Sequence, residues 1–551
     1  MDRPSAPKRP RLSMACNLCR QRKVKCDADY PRCKNCRVRN QDCVTTDPQR
    51  PGIPGLREWI DIPERSPGIG VTSGNGVPRP QDERPVVEHV AAAVAVQRDA
   101  VSATNDESPV HHPFKTSENI EHGTNRMKVV GGTSSQCLAK SLDVFLKAAH
   151  LQPVSGVFQY GMRHSEELDI PLTPSLPPLP TQETRDRYLK AFCTRIYILY
   201  PIFDLDELRN AVTQLADSSD GFSHLSRERV PSLVSAYLIM SLGADESSQS
   251  VTRDGELYLR AATGLLSHLI VLPYVPAVQA LVLFAITYRS RNQEGLGRQA
   301  IGMAIRMAYS LGIHRPAKLQ QNQATAADRS LYSLIWSACC CLERMMQVDS
   351  GLPTAIAAHA PGIGPDFVPQ DHHFLKWHYQ LSEYQGRISQ HIYNHGQLGT
   401  RSVQEILRDT AQLDRELLAW ANQIPVELRP GNDIFCPADE FHIVAMLSIQ
   451  YHSAMITLLA ASSRLEAEVS RYCAEDPSQH RLRRGESICV ASARAIAKLS
   501  VEIGDRKADS RVLSGGPFLL ASIVLAIYLV KQPGSRLQAM DLQVITVNPH
   551  P

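Results

Sequence analysis

The sequence predicts a three-part chain: a small module nucleated by metal ions, a disordered linker and a large all-α domain. Six of the 14 cysteines lie within residues 16–43, at a spacing that repeats. Residues 44–135 are rich in proline, with glycine and serine between, a composition typical of chains that bury too little apolar surface to fold. From about residue 137 onward the chain reads as helices joined by loops, and no run of alternating strands appears.

The positive charge of the chain is concentrated at its start. The formal net charge of the 551 residues is only +3. Residues 1–43 contain 12 lysines or arginines against 4 acidic residues, a net of +8, which leaves −5 for the remainder. A basic head on a mildly acidic body favours contact with nucleic acid or another anionic surface through the head alone. Residues 1–15 form a basic arm suited to nuclear import or to extra phosphate contacts.

Neither end of the sequence predicts a membrane segment. The basic start is not followed by the apolar stretch of a secretory signal. The longest apolar run, residues 518–530 with a single serine within it, is short of the ~20 residues that span a bilayer, which favours a buried core helix. We therefore expect no membrane partner, and a cytosolic or nuclear location where thiols stay reduced.

The clustered cysteines have the spacing of a metal site. Their pattern is C-x2-C-x6-C, a six-residue gap, and the same pattern again, at Cys16, Cys19, Cys26, Cys33, Cys36 and Cys43. A C-x2-C step lets two thiolates reach one zinc ion from a turn that enters a helix. Two tetrahedral zinc ions need eight ligands, so six thiolates suffice only if two of them bridge. One zinc ion with four thiolates would leave two cysteines spare, and a redox cluster would not explain the repeat.

Metal binding must also supply the folding energy of this segment. Its apolar residues are nearly all accounted for by Leu18, Val24, Tyr30 and Val38. A domain this small cannot fold on so little apolar burial, so we expect it to fold only with its metal.

The cations between the second and third cysteines suit DNA recognition. In the stretch RQRKVK, residues 20–25, Arg22 and Lys23 are expected to project outward, where they can donate to guanine O6 and N7. Arg20 and Lys25 lie nearer the cysteines and suit phosphate contacts. The alternative is that these cations only offset the thiolates, but two zinc ions and six thiolates leave the region about +6.

This segment resembles the fungal Zn2Cys6 module, a zinc-nucleated binuclear cluster that binds DNA. The resemblance rests on C-x-x-C-R-x-x-K-x-K-C followed by P-x-C-x-x-C. It implies two zinc ions bridged by Cys16 and Cys33, a first short helix in the major groove, and recognition of CGG-type triplets. The short coiled coil that often follows such modules is weak here, because residues 86–101 hold only about two heptads where three or four are expected. A homodimer and its half-site spacing therefore stay open.

The body, residues 136–551, is predicted to be helical throughout. The expected helices cover 181–201, 231–243, 255–271, 276–290, 297–316, 329–347, 439–460 and 518–530. Thr181 is a plausible N-cap, Pro231 and Pro276 suit first helical turns, and Gly243 suits a helix end.

Residues 180–465 resemble the fungal-specific transcription factor domain. The resemblance is carried by YILYPIFD (197–204), AIGMAIRMAYSLGIHRP (300–316) and the stretch from WSACCCLER to SGLP (336–353). It implies a helical regulatory domain without an agreed catalytic role. The chain departs from the family pattern at Ile335 and Trp336, where two adjacent aromatics are usual, and at Glu343, where aspartate is usual.

Two other patterns have simpler interpretations. Cys339, Cys340 and Cys341 lie on three faces of one helix and are expected to be core residues, with an exposed redox-sensing thiol as the alternative. The stretch DHHFLKWH, 371–378, is expected to be a surface loop and not a metal site.

These observations predict a zinc-dependent, sequence-specific regulator of RNA polymerase II transcription that acts in the nucleus and is not an enzyme. Its expected partners are double-stranded DNA and the transcription machinery or co-regulators. By resemblance, it would control a biosynthetic (secondary-metabolite) or catabolic gene set. The alternatives are an enzyme tethered to chromatin by the head, and a metal- or redox-sensing protein.

Overall fold

The chain divides into two units, Met1–Arg84 and Pro85–Pro551. The computed structural model describes residues 16–22, 24, 26, 32–41, 43, 117–120, 127–130, 143, 146–147, 150–153, 176–217, 222, 225–315, 326–357, 368–392, 402–462, 466–475, 480–532, 539 and 541–542. The basic arm 1–15 and the heptads of 86–101 lie outside these residues.

The first unit contains two short helices and a core made of sulfur. Helix α1 covers Asn17–Gln21 and helix α2 covers Lys34–Val38. The buried cluster between them consists of Cys16, Cys19, Cys33 and Cys36. As the sequence predicts, thiols take the place of an aliphatic core in the described part of this unit.

The first described elements of the second unit are two paired β-strands within the predicted linker. Strands β1 (Ser117–Ile120) and β2 (Met127–Val130) pair antiparallel, with Ser117 opposite Val130. The composition of residues 44–135 does not predict these strands, and the linker boundaries at 44 and 135 stay a prediction.

The rest of the second unit is helical. Its α-helices are α3 (Gln182–Phe192), α4 (Leu205–Ala216), α5 (Val230–Ser248), α6 (Arg253–Gly264), α7 (Leu266–Val271), α8 (Val275–Arg289), α9 (Glu294–Leu311), α10 (Ala326–Ser350), α11 (His373–Ile392), α12 (Val403–Gln423), α13 (Phe441–Ser462), α14 (Glu466–Glu475), α15 (His480–Arg483), α16 (Gly485–Asp505) and α17 (Gly516–Lys531). Within the described residues from 143 onward every regular element is a helix, which confirms the all-α prediction there.

Several predicted helix boundaries are confirmed. Thr181 directly precedes α3, which continues into a π-helical turn at Cys193–Tyr197 before Pro201. Pro231 and Pro276 occupy the first turns of α5 and α8, where a missing backbone N–H costs nothing.

Gly243 is not the helix end that the sequence predicts. Helix α5 runs on to Ser248. A Cβ on Gly243 would lie 2.2 Å from the carbonyl oxygen of Tyr188 in α3, so this glycine lets two helices approach closely. The predicted helix 255–271 is also corrected, because it divides at Leu265 into α6 and α7.

Helices α5, α8 and α13 form the centre of the core. Helix α5 packs against α3, α6 and α8, and α13 packs against α11, α12 and α16. The segment Phe441–Ala460 of α13 is long and apolar enough to cross a membrane, but 89% of it is buried inside the protein. It is therefore a core helix.

Two helices that the sequence analysis missed carry capping signals. Asp204 precedes α4 and accepts hydrogen bonds from the backbone N–H groups of Asp206 and Glu207. Ser402 and Glu405 form a reciprocal capping box at the start of α12. Both patterns are readable in sequence.

The loop predicted for 371–378 is wrong. A 3-10 turn at Gln370–His372 leads directly into α11, where His378 and Gln385 lie on the buried face. Polar residues at these buried positions interrupt the helical spacing of apolar residues. This explains why the segment was predicted to be a loop and not a helix.

A strap, residues 507–514, joins α16 to α17 across the body. Glu246 at the end of α5 is fully buried and accepts from Arg195 Nε (2.7 Å), Ser510 Oγ (3.0 Å) and the backbone N–H of Arg511 (2.5 Å). Arg195 also donates to the backbone carbonyls of Ala508 (3.3 Å) and of the next residue.

The remainder of the strap is held by α8 and by the end of α5. Arg289 donates to the carbonyl oxygen of Val512 (3.4 Å) and to Ser514 Oγ (2.8 Å). Gln249 donates its side-chain amide to the carbonyl oxygen of Lys507 (2.7 Å). Buried charged and polar groups therefore attach the C-terminal helices to the earlier part of the body.

The apolar helix 518–530 is not the buried core helix that the sequence predicts. Only Pro517, Ala521 and Leu525 of α17 are fully buried, because one face of the helix packs on α16 and α13. An aliphatic stripe faces outward. Because apolar residues occupy every face of this helix, the spacing of apolar residues in the sequence does not predict which face is buried.

We predict that Gly243→Ala destabilises the protein by about 3 kcal/mol, because the new Cβ would overlap backbone that cannot yield. Gly264→Ala is the matched control, since nothing lies within 4 Å of a Cβ there. It should be neutral or stabilise by up to ~1 kcal/mol. Urea unfolding of both variants tests this, and equal stabilities would contradict the close packing.

Buried histidines predict a loss of stability in acid. On α13, both ring nitrogens of His452 are buried without a hydrogen-bond partner among the described residues. Burial lowers its pKa from 6.5 to about 4. Between these values the unfolded chain binds a proton that the folded chain does not, so stability falls as pH falls from 6.5 to 4.

His452→Leu should remove this contribution. We expect the unfolding free energy of the variant to rise, relative to that of wild type, by about 1 kcal/mol for each pH unit below 6.5. Unfolding free energies measured between pH 4.5 and pH 7 test the prediction, and parallel pH curves would contradict it.

Candidate metal centre and nucleic-acid interface

The repeated spacing of the cysteines becomes a repeated local structure. Helix α1 begins directly after Cys16 and α2 directly after Cys33. Cys33 has an extended backbone (ψ 154°), and its carbonyl oxygen accepts from the N–H groups of Cys36 (3.0 Å) and Arg37 (2.9 Å). The next cysteine of each half follows within the helix, so each C-x2-C step brings two sulfur atoms to the same side.

The sulfur atoms of the two halves converge. Cys16 Sγ lies 4.0 Å from Cys33 Sγ and 3.7 Å from Cys36 Sγ. Cys19 Sγ lies 3.7 Å from Cys33 Sγ. Because the 16–19 pair and the 33–36 pair are thus interleaved, the two halves share one centre.

Two sets of four sulfur atoms meet the geometric requirement for a metal ion. The first set is Cys16, Cys19, Cys26 and Cys33, and the second is Cys16, Cys33, Cys36 and Cys43. Within each set all sulfur atoms lie within 4.8 Å of one another. Cys16 and Cys33 belong to both sets, the same two residues that the resemblance implies as the bridging pair.

The pKa values of the four buried cysteines are shifted in two directions. Burial opposes ionisation of Cys16, but the Cys19 N–H and neighbouring thiols donate to its sulfur and lower the pKa to about 6. Cys33 follows the same pattern, with the Cys36 N–H as donor. Burial and neighbouring sulfur atoms raise the pKa of Cys19 to about 12 and also raise that of Cys36.

The donor set fits zinc. Zinc is bound by thiolates at about 2.3 Å in tetrahedral geometry, which places ligand sulfur atoms about 3.8 Å apart. The sulfur separations of 3.7 and 4.0 Å agree with that value. Six thiolates in two overlapping sets of four can fill two tetrahedra that share an edge.

The structure places exposed cations around this centre. Arg22, directly after α1, is exposed, and its N–H donates to the carbonyl oxygen of Leu18 (3.1 Å). Lys34, Arg37 and Arg39 on and beside α2 are exposed as well. The side chain of Arg20 lies outside the part that the structure describes, as do Lys23 and Lys25, so their roles stay predictions.

Two residues of the module were missed by the sequence analysis. Asn35 Nδ2 lies 4.0 Å from Cys19 Sγ and links α2 to the first half. Arg32 is exposed directly before Cys33 and adds to the positive surface. Their positions next to ligand cysteines are the only signal the sequence offers for them.

Elsewhere among the described residues, no other group of histidines, cysteines and carboxylates has metal-ligand geometry. Cys339, Cys340 and Cys341 are fully buried, which confirms the core interpretation. Burial raises the pKa of Cys340 to about 12, with Arg344 opposing, and raises the pKa values of its two neighbours well above the usual range. Buried protonated thiols react slowly, which argues against the redox-sensing alternative for these three.

Two protein-family models match the chain. Residues 14–52 match the fungal Zn(2)-Cys(6) binuclear cluster domain, and residues 189–360 match the fungal specific transcription factor domain. The chain contains both domains of the fungal Zn2Cys6 transcription factors. The second match runs from within α3 to beyond the end of α10, so helices α11–α17 lie C-terminal to it.

Curated relatives are fungal transcription regulators as well. An uncharacterized transcriptional regulatory protein of Schizosaccharomyces pombe is 22% identical over 97% of this chain and 72% of its own length. The sorbicillinoid biosynthetic cluster transcription factor of Hypocrea jecorina is 23% identical over 90% of this chain and 76% of its own. An ABC-transporter-regulating transcription factor of Aspergillus oryzae is 20% identical over 89% of this chain and 64% of its own length.

The match to the zinc-cluster domain implies that this unit binds zinc and DNA. Transcription regulation is the function named by the second matched domain and by the curated relatives. Beyond these matches, the structure shows which cysteine sulfur atoms lie close together and which cations lie around them.

Proposed function

We propose that this protein is a nuclear, sequence-specific regulator of RNA polymerase II transcription whose zinc-cluster module holds two zinc ions and reads CGG-type triplets in the major groove. The observation that carries the proposal is the pair of cysteine sets that share Cys16 and Cys33. A shared pair lets six thiolates bind two metal ions, and a rigid metal core fixes the surrounding cations against DNA. Both matched domains belong to transcription regulators, and we propose no enzymatic activity.

Specific and nonspecific contacts are assigned to different cations. Arg22 and Lys23, beyond the end of α1, are proposed to donate to guanine O6 and N7. Arg20 and Lys25 are proposed to contact phosphates, and the exposed Lys34, Arg37 and Arg39 follow the backbone in the same way. Phosphate contacts set affinity and register, while the base contacts set sequence preference.

The regulated genes are proposed to form a biosynthetic or catabolic set. Support comes from the relatives, one of which is named for a biosynthetic cluster and another for the regulation of an ABC transporter. The helical body would receive the regulatory signal and contact co-regulators or the transcription machinery.

Zinc content tests the shared-ligand arrangement. Cys33→Ser removes a ligand from both sets, so we expect nearly all zinc to be lost from about two ions per chain. Cys43→Ser touches one set and should lose less zinc. Cys193→Ser, in the body, is the control and should keep the wild-type content. Elemental analysis after dialysis measures all four proteins, and equal losses for Cys33→Ser and Cys43→Ser would contradict the shared role of Cys33.

DNA discrimination tests the two classes of cation. Lys23→Ala should lose about 1–3 kcal/mol of preference for a CGG-type site over an altered triplet, with the fold intact. Arg39→Ala, a proposed phosphate contact, should weaken binding to both sequences equally and reduce the salt dependence by about one ion. Fluorescence anisotropy at several salt concentrations measures both effects. A loss for Lys23→Ala that is equal on every sequence would make Lys23 a phosphate contact.

A further inference from the structure

Asn35 of helix α2 joins the two halves of the zinc-cluster module. Its side-chain Nδ2 lies 4.0 Å from Cys19 Sγ, although Asn35 belongs to the second cysteine repeat and Cys19 to the first. Within its own half, Asn35 stands between Cys33 and Cys36. Its amide therefore reaches out of the half in which it lies, toward a metal ligand of the other half.

The two halves have the same backbone course but different side chains at this position. In each half, the backbone N–H five residues after the second cysteine donates to the carbonyl oxygen of that cysteine, at 3.1 Å for Cys19 and 3.0 Å for Cys36. The residues directly before these cysteines, Leu18 and Asn35, are therefore equivalent. Leu18 packs against the cysteine cluster and its side chain has no hydrogen-bond donor. At this pair of positions one half offers an amide and the other an aliphatic group.

The contact between Asn35 and Cys19 pairs a donor with an acceptor. A side-chain amide nitrogen carries two N–H donors, and a cysteine sulfur is an acceptor. The separation of 4.0 Å is long for a bond to a neutral thiol. Bonds to an ionised acceptor are shorter and stronger, and a cysteine that binds a metal ion is deprotonated. The contact should therefore tighten in the state in which Cys19 serves as a ligand.

The charge of the metal centre favours such a donor. Cys19 belongs to one ligand set only, with Cys16, Cys26 and Cys33. Two zinc ions and six thiolates leave a net charge of about −2, so an N–H directed at an unshared thiolate offsets part of the excess. Groups that hydrogen-bond to a metal ligand fix its orientation, and their removal typically weakens metal binding by about 10–100-fold. Because Asn35 is exposed to solvent, we expect the lower end of that range.

We propose that Asn35 is a positioning residue of the first metal site, the site formed by Cys16, Cys19, Cys26 and Cys33. From the second half, Asn35 donates an N–H to Cys19 Sγ and holds that thiolate in its orientation toward the metal ion. The zinc ion of the first site thereby depends on a side chain of the second half that is not itself a ligand. The proposal rests on the two-zinc arrangement of the proposed function, but not on DNA binding.

The rate of zinc release from the full-length protein tests the donor. An excess of the chromogenic chelator pyridylazoresorcinol withdraws the zinc, and its absorbance reports the rate. Asn35→Leu copies the residue at the equivalent position and removes the donor, so one zinc ion should leave ~10-fold faster. Asn35→Asp has the same shape but places a negative charge beside the thiolate, and should release that ion at least as fast.

Two further variants serve as controls. Asn35→Gln keeps an amide donor on a longer side chain, so its release rate should lie between those of wild type and Asn35→Leu. Val38→Ala changes the same helix at a residue that is 78% exposed, and it should release zinc like wild type.

Two cysteine backgrounds identify the site that Asn35 serves. Cys36→Ser removes a ligand from the second set alone, and Cys19→Ser removes one from the first set alone. In the Cys36→Ser background, where the first site keeps its four ligands, Asn35→Leu should speed zinc release ~10-fold. In the Cys19→Ser background it should leave the release rate unchanged. A role confined to the shape of α2 would instead act on Cys36, the adjacent residue, and would speed release in both backgrounds.

The outcomes separate this proposal from the proposed function. Wild-type release rates for both Asn35→Leu and Asn35→Asp, in proteins that hold about two zinc ions, would overturn the positioning role and leave the proposed function intact. Equal acceleration in both cysteine backgrounds would also overturn it. If a cysteine background binds no zinc, the comparison of Leu, Asp and Gln at position 35 in the otherwise unchanged protein decides. A wild-type protein with fewer than two zinc ions would contradict the two-zinc arrangement itself, and this proposal with it.

Discussion

The geometry of the first unit depends on one constraint, that two cysteine sulfur atoms belong at once to two sets of four with metal-ligand geometry. With thiols for a core, this unit has no other source of cohesion in its described part. Cys16 and Cys33 each directly precede a helix. Metal ions bound by these two residues would therefore fix where both helices begin. The same bonds would also determine where Arg22 and the cations of α2 lie, so folding and DNA recognition would depend on the same ligands.

The larger unit is built on different physics. Its centre is apolar and closely packed, with α5 and α13 surrounded on almost every side. Yet the C-terminal helices are joined to it by Glu246, Arg195 and Arg289, which are charged groups taken out of water. Buried ion pairs contribute little net stability, because the cost of desolvation offsets their attraction. What they supply is geometric selectivity: Glu246 accepts three donors, and only one placement of the strap satisfies all of them.

The sequence was informative where a local rule acts alone. The cysteine repeat, together with the family resemblance, predicts the two shared sulfur atoms. Pro231 and Pro276 mark helix starts because their missing N–H restricts them to first turns. Prediction from the sequence was wrong where tertiary contacts override the local rule. Gly243 has the signature of a helix end, but its role is the close approach of α3. Helix α11 was missed because buried polar residues such as His378 occupy positions that periodicity reserves for apolar ones. The orientation of α17 depends on which neighbours it meets, and no pattern in the segment records that.

The strap has a consequence for how this chain tolerates change. Five of its contacts, from Lys507 to Val512, are made by main-chain carbonyls and one main-chain N–H. Main-chain atoms are the same whatever the side chain, so these five contacts do not themselves restrict residue identity, whereas Ala508, Ser510, Val512 and Ser514 are restricted by burial or by side-chain hydrogen bonds. The length of the strap is restricted, because one inserted or deleted residue would move every later carbonyl beyond hydrogen-bond distance of its arginine donor. Natural variation in this segment should accordingly appear as substitutions at constant length.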